Sequence, residues 1–130
     1  MNDRLVAILW IVLSSLLGVV GQAVAKLGVA KLGLGSSPRA ADLARMITSP
    51  LLWGGGALLV AATVLWFYAL SKIEFTVAMP ISCLLMLVFS VAAGVLCFGE
   101  TVPPWRGAGL LLALVAVVLI SGSEAWRLPR

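Results

Sequence analysis

The sequence predicts an all-α, polytopic membrane protein with four transmembrane helices and short loops. Three observations carry that reading. Of 130 residues, 62% are hydrophobic and only 11% charged, more apolar surface than so small a soluble domain can bury. The apolar residues fall into four continuous runs, each near the roughly 20 residues that cross a bilayer as a helix. The runs lack the alternation a barrel needs, and a lipid-facing backbone must close its hydrogen bonds as helix or barrel. A leader followed by a soluble domain is not expected, because the chain returns to apolar sequence three more times.

The runs set helices at about 5–33, 50–70, 76–98 and 106–123 within a single domain, 1–130. The first run extends from Leu5 to about Val24 and fades through Ala25–Leu34; Gly33, Gly35, Ser36, Ser37 and Pro38 end it. A short amphipathic segment, Ala40–Thr48, follows and suits the membrane surface. Ser49-Pro50 starts the second helix, with proline at a tolerated first-turn position. The link Ser71–Glu74 is so short that the second and third long helices are expected to pack as an antiparallel pair. Pro80, about a turn into the third, should kink it or loosen its first turn. Gly99-Glu100 and Pro103-Pro104 form the next turn. The fourth run is Ala108–Ile120, with Trp105–Gly107 and Ser121–Ser123 as shoulders. Trp53, Trp66, Tyr68, Trp105 and Trp126 fall near run ends, as interfacial anchors do.

Charge excludes one class of partner and leaves orientation open. The net charge of +4 comes from basic residues scattered at loop positions, without the basic block or aromatic stripe of a nucleic-acid binder. In a four-span drawing, Arg4, Lys72, Arg127 and Arg130 lie on one side and Lys31, Arg39, Arg45 and Arg106 on the other. That balance gives almost no inside-positive bias, so insertion in both orientations and insertion in one, fixed by other features or a partner, both stand. Cys83 and Cys97 are about 21 Å apart along one helix, too far for a disulfide, and read as small apolar filler.

The candidate site is a polar stripe in the first helix. Ser14, Gly18, Gln22 and Lys26 recur every four residues and share roughly one side. Polar groups in a membrane helix face protein or an aqueous cavity. Lys26 has two readings. If the span ends near Val24, it snorkels to the interface as an anchor. If the helix continues to Gly33, about 44 Å in all, Lys26 lies within the protein, where an ammonium beside the Gln22 amide suits a phosphate-like anion. Gln22 has a rival role in direct helix-to-helix bonding. Gly18, Gly21, Ala23, Ala25 and Gly28, with Gly54, Gly55 and Gly56, permit close packing or leave room for a long ligand. Trp66 and Tyr68 are placed at the headgroup end or as interface anchors.

Acidic residues sit at helix boundaries, with none inside the first span and Asp3 at its extreme end. Glu100 is expected either to pair with Arg106 across the Thr101–Trp105 turn or to cap that turn, so Pro80, Gly99, Glu100 and Arg106 are read as structural. With no histidine, zinc spacing, nucleophile–base pair or phosphate loop, neither enzyme activity, a cofactor nor a metal site is expected.

Three stretches carry a family resemblance across nearly the whole chain: GQAVAKLG at Gly21–Gly28, WFYALSKIEFTVAMPIS at Trp66–Ser82 and FGETVPPWRGAGLLL at Phe98–Leu112. In order and spacing they resemble the small four-span members of the drug/metabolite transporter superfamily, above all the paired subunits proposed to flip undecaprenyl phosphate–aminoarabinose. The resemblance implies a lipid-phosphate carrier in the bacterial inner membrane, assembled as a homodimer or heterodimer with a related four-span subunit. The first-helix Gln and Lys of that group correspond to Gln22 and Lys26, and the Ala78–Pro80 element and Gly99-Glu100 turn also match. Small multidrug-resistance exporters resemble it more distantly, since their first-helix glutamate is missing here; the loop Gly35–Ser49 is a second difference. The expected function is therefore a flippase or flippase subunit for a polyprenyl-phosphate-linked sugar or similar anionic lipid. The alternatives are an exporter or importer of small polar or cationic metabolites and a non-transporting membrane partner.

Overall fold

The computed structural model describes residues 3–33 and 39–125. Five helices follow one another: α1 (Asp3–Leu32), α2 (Ala40–Thr48), α3 (Pro50–Leu70), α4 (Phe75–Phe98) and α5 (Pro104–Ala125). The breakers at 35–38, the anchor Trp126 and the cations Arg127 and Arg130 lie outside the described residues. The protein is an all-α, multi-pass membrane protein. Large apolar side chains point outward along the long helices, Leu9, Val60, Val64, Leu96, Leu112 and Leu119 among them, and only a lipid surround accommodates so much exposed aliphatic area.

The expected count of four spans is corrected. Among the described residues three helices are long and apolar enough to cross a membrane: Leu5–Leu32, Pro50–Leu70 and Phe75–Phe98. The last run yields a shorter apolar helix, Pro104–Ile120. α5 itself runs on to Ala125, but at the helical rise this apolar part extends about 26 Å, short of the roughly 30 Å hydrocarbon core. The polar shoulder Ser121–Ser123, included in the expected span, lengthens the helix without lengthening its apolar part.

The expected pairing of α3 with α4 is corrected as well. α1 packs along α3 most extensively and on α4 next, whereas α3 and α4 barely touch. They meet near their shared link, where the Trp66 indole donates to Ser82 Oγ (3.0 Å) and stacks edge-on against Phe75 at 6.1 Å. The α1–α3 seam explains the difference. A β-carbon on Gly55 would sit 2.8 Å from the Gly21 carbonyl oxygen, and one on Gly21 would sit 3.0 Å from that of Gly55. The two backbones approach as only small residues allow, and α1 takes the place α4 was expected to fill. Gly54 and Gly56 face open space.

Away from that crossing, Ile11 of α1, Ala69 of α3 and Ala78 of α4 are fully buried together. Trp10 and Tyr68 stack edge-to-face at 5.3 Å at the same end. α4 passes through Pro80 as continuous helix, although that residue has no N–H for the preceding turn. α2 begins with the Arg39 N–H donating to Asp42 Oδ2 (3.2 Å). It is held to α3 by the Trp53 indole, which donates to the Ile47 carbonyl (2.6 Å). Among the described residues α5 packs on α4 alone. Both cysteines are free and exposed.

Candidate functional site

The site begins with the end of α4. Gly99 adopts the left-handed conformation (φ 61°, ψ 25°), which a β-carbon would strain. This reversal turns the next residue back over the helix, and the Glu100 N–H donates to the Gly94 carbonyl (3.0 Å), the closing bond of a glycine-capped terminus. The Glu100 side chain then lies over Gly94: a β-carbon there would meet Oε2 at 2.9 Å. Gly94 is thus a seat for the carboxylate. The other oxygen, Oε1, accepts from Lys26 Nζ, forming a salt bridge across 74 positions of sequence. The ammonium also stands 4.0 Å from the centre of the Phe98 ring, a favourable cation–π placement.

Lys26 therefore faces protein rather than pointing away from it. The pair is not sealed: the two side chains are 54% and 46% exposed, so their attraction is screened by water and is worth little in stability. Glu100 stands beyond the end of α4, outside the spans. Its carboxyl is held below the usual carboxylate range, first by the Lys26 hydrogen bond, then by the Lys26 charge and, after an opposing desolvation, by Arg106. The expected Glu100–Arg106 ion pair is not formed; among the described residues the salt bridge is Lys26–Glu100.

A cavity of about 170 Å³ surrounds the pair, walled by Gln22, Ala23, Ser90, Gly94 and Phe98. The Gln22 amide makes no hydrogen bond within the described residues, so the helix-to-helix role weighed for it is not seen. A second cavity of about 260 Å³ adjoins the first, sharing Ser90 and Glu100 as walls and adding Thr101, Val102 and Arg106.

The four-residue stripe divides. Ser14 and Gly18 line a different cavity of about 150 Å³ with Ser15, Thr63, Trp66 and Met86. Each step of four residues turns about 40° beyond one helical turn, so Ser14 and Lys26 point about 120° apart. Ser14 Oγ is satisfied by the Ile11 carbonyl (3.0 Å), and Thr63 Oγ1 by that of Leu59 (2.8 Å). Ser15 Oγ, also buried, has no partner. Trp66 bonds Ser82 from this cavity's wall. Tyr68 is half exposed on Trp10, apart from both groups.

The residues that reasoning from sequence passed over are Gly94, Ser90, Phe98 and Ser15, and it gave Glu100 a purely structural part. The signal for Glu100 was present: a glycine closing an apolar helix turns its successor back on the last turns. Among the described residues, no group of three or more His, Cys, Asp or Glu side chains gathers to hold a metal. The geometry brings an ammonium, a spare amide donor and a half-exposed carboxylate to one cavity at a helix end. No family model, curated protein or solved structure matches the chain, so the resemblance rests on the three quoted stretches alone.

Proposed function

We propose that this membrane protein is a carrier that moves a phosphate-bearing lipid, a polyprenyl-phosphate-linked sugar or a close analogue, between leaflets. The observation that carries the reading is the meeting of Lys26 and the unbonded Gln22 amide in one cavity at the end of α1. Lys26 holds the phosphate as an ion pair, and Gln22 donates a second hydrogen bond. The headgroup passes along the polar side of α1, with Ser15 as a further donor part-way along the helix, while the tail stays in lipid. The resemblance supplies the sugar-lipid class, the bacterial inner membrane and work as a homodimer or heterodimer.

The test is headgroup translocation in reconstituted vesicles, wild type against Lys26→Met. Loss of flux of about tenfold or more is expected, the scale of a charged hydrogen bond to substrate, with the variant still inserted and monodisperse. Flux equal to wild type defeats the assignment. One observation favours a rival, export of an organic cation: the Glu100 carboxylate reaches the same cavity. Saturable cation flux driven by a pH gradient and indifferent to Lys26 replacement would establish that rival.

A further inference from the structure

Glu100 is the common wall of two cavities, each with its own cation. Lys26 of α1 lines one and Arg106 of α5 lines the other. Among the described residues α1 and α5 do not pack on each other, and the carboxylate lines the cavities of both charges. Among the described residues no other acid lines either cavity. Its position is specific yet light. Gly94 leaves just enough room for Oε2, while the side chain is nearly half exposed, so rotation out of the seat breaks one screened ion pair and little packing.

We propose, on the carrier reading above, that Glu100 is a resident competitor at the phosphate site. An arriving phosphate takes Lys26 Nζ, and the displaced carboxylate swings into the adjoining cavity, where Arg106 receives it. The exchange leaves no partner unpaired and turns one ion pair into two: Lys26–Glu100 becomes Lys26–phosphate plus Arg106–Glu100. No carboxylate is left facing the phosphate, a like-charge contact that would otherwise oppose binding. With no ligand present the carboxylate closes the lysine, which disfavours weaker anions that cannot displace it. The same phosphate chemistry is offered by a lipid headgroup and by the free ion.

The experiment titrates the full chain in detergent with two probes, inorganic phosphate and farnesyl phosphate, in wild type, Glu100→Gln, Lys26→Met, Arg106→Met and the double variant Glu100→Gln/Arg106→Met. Glutamine keeps the size of the side chain and removes its charge, so Glu100→Gln is expected to tighten binding about threefold, the scale of an exposed ion pair. Arg106→Met is expected to weaken binding in the wild-type background and to change nothing once Glu100 is glutamine. Unchanged or weaker binding in Glu100→Gln, with binding lost in Lys26→Met, overturns the competitor while leaving the lysine site standing. Unchanged binding in Lys26→Met overturns the carrier reading itself. Equal weakening by Arg106→Met in both backgrounds makes Arg106 a direct anion contact and overturns the swing. Tightening for farnesyl phosphate supports the exchange with a lipid headgroup as ligand. Tightening for inorganic phosphate alone supports the exchange and overturns the lipid.

Discussion

α1 presents one face to α3 and another to α4, and the two seams are built on opposite terms. Toward α3 the helix is small and dry: Gly21 meets Gly55 so closely that neither tolerates a β-carbon without movement. Toward α4, near the same helix end, it is open and charged: Lys26 and Gln22 line a cavity that Glu100 also walls. One helix thus serves as a strut on one face and lines a charged cavity with the other. The lesson concerns small residues in membrane helices. Where two glycines oppose each other they weld backbones together, and where a glycine opposes a carboxylate, as Gly94 does, it makes room for an ion.

The comparison can be broken most severely at the weld. Gly55→Leu drives a side chain into the Gly21 carbonyl and is expected to cost about 1–3 kcal/mol or more by overpacking, read as a lowered melting temperature in detergent. Its neighbour Gly54 faces open space, so Gly54→Ala should be neutral or raise stability by up to about 1 kcal/mol through helix propensity. Equal melting temperatures for the two variants would erase the distinction between the seams.

A smaller effect belongs to the junction of α1, α3 and α4. Ser15 Oγ is buried without a partner, and Ser15→Ala removes it at almost no change in volume. A gain of up to about 1 kcal/mol is expected, together with slower headgroup passage if the hydroxyl is a step on the path. A loss of stability would show that the hydroxyl is already satisfied.

On the charged seam the expected effects are on availability rather than on folding. Gly94→Ala displaces the tip of a flexible side chain, so stability should move by no more than about 0.5 kcal/mol, while Lys26 becomes more reactive toward an amine-acylating reagent. Unchanged labelling would mean that Gly94 does not seat the carboxylate. The smallest effect is on pH. The lowered Glu100 carboxyl gives a contribution fully present above the ordinary glutamate range and lost as pH falls through its lowered value. Melting temperature should carry a small acid-side decline below the ordinary range that Glu100→Gln abolishes. A decline already complete above that range would carry the opposite sign and refute the pairing.

Much of this architecture was legible in the residues. The apolar runs, the Pro50 start of α3 and the amphipathic Ala40–Thr48 helix follow from local pattern, and each is in place. Gln22 and Lys26 share a cavity because one four-residue step turns little; Ser14 and Lys26 do not, because three steps accumulate to a third of a turn. The partner of Lys26 was hidden for a different reason. Nothing local to position 26 refers to position 100: the Gly99 reversal turns Glu100 back over α4, and the carboxylate meets Lys26 only because α1 packs on α4. The fourth span failed on arithmetic: polar flanks had been credited as membrane length. The α3–α4 pairing failed because link length limits which helices are able to meet and does not decide which ones do.

The peripheral placement of α5 bears on how the chain is made. Among the described residues α1 meets α3 and α4 and takes no neighbour from α5, so neither seam requires that helix. A nascent chain stopped just before Pro104 should therefore insert, resist protease and show native helical signal, yet lack Arg106. Assembly of the two seams and arrival of Arg106 would then be separable steps in the making of the chain.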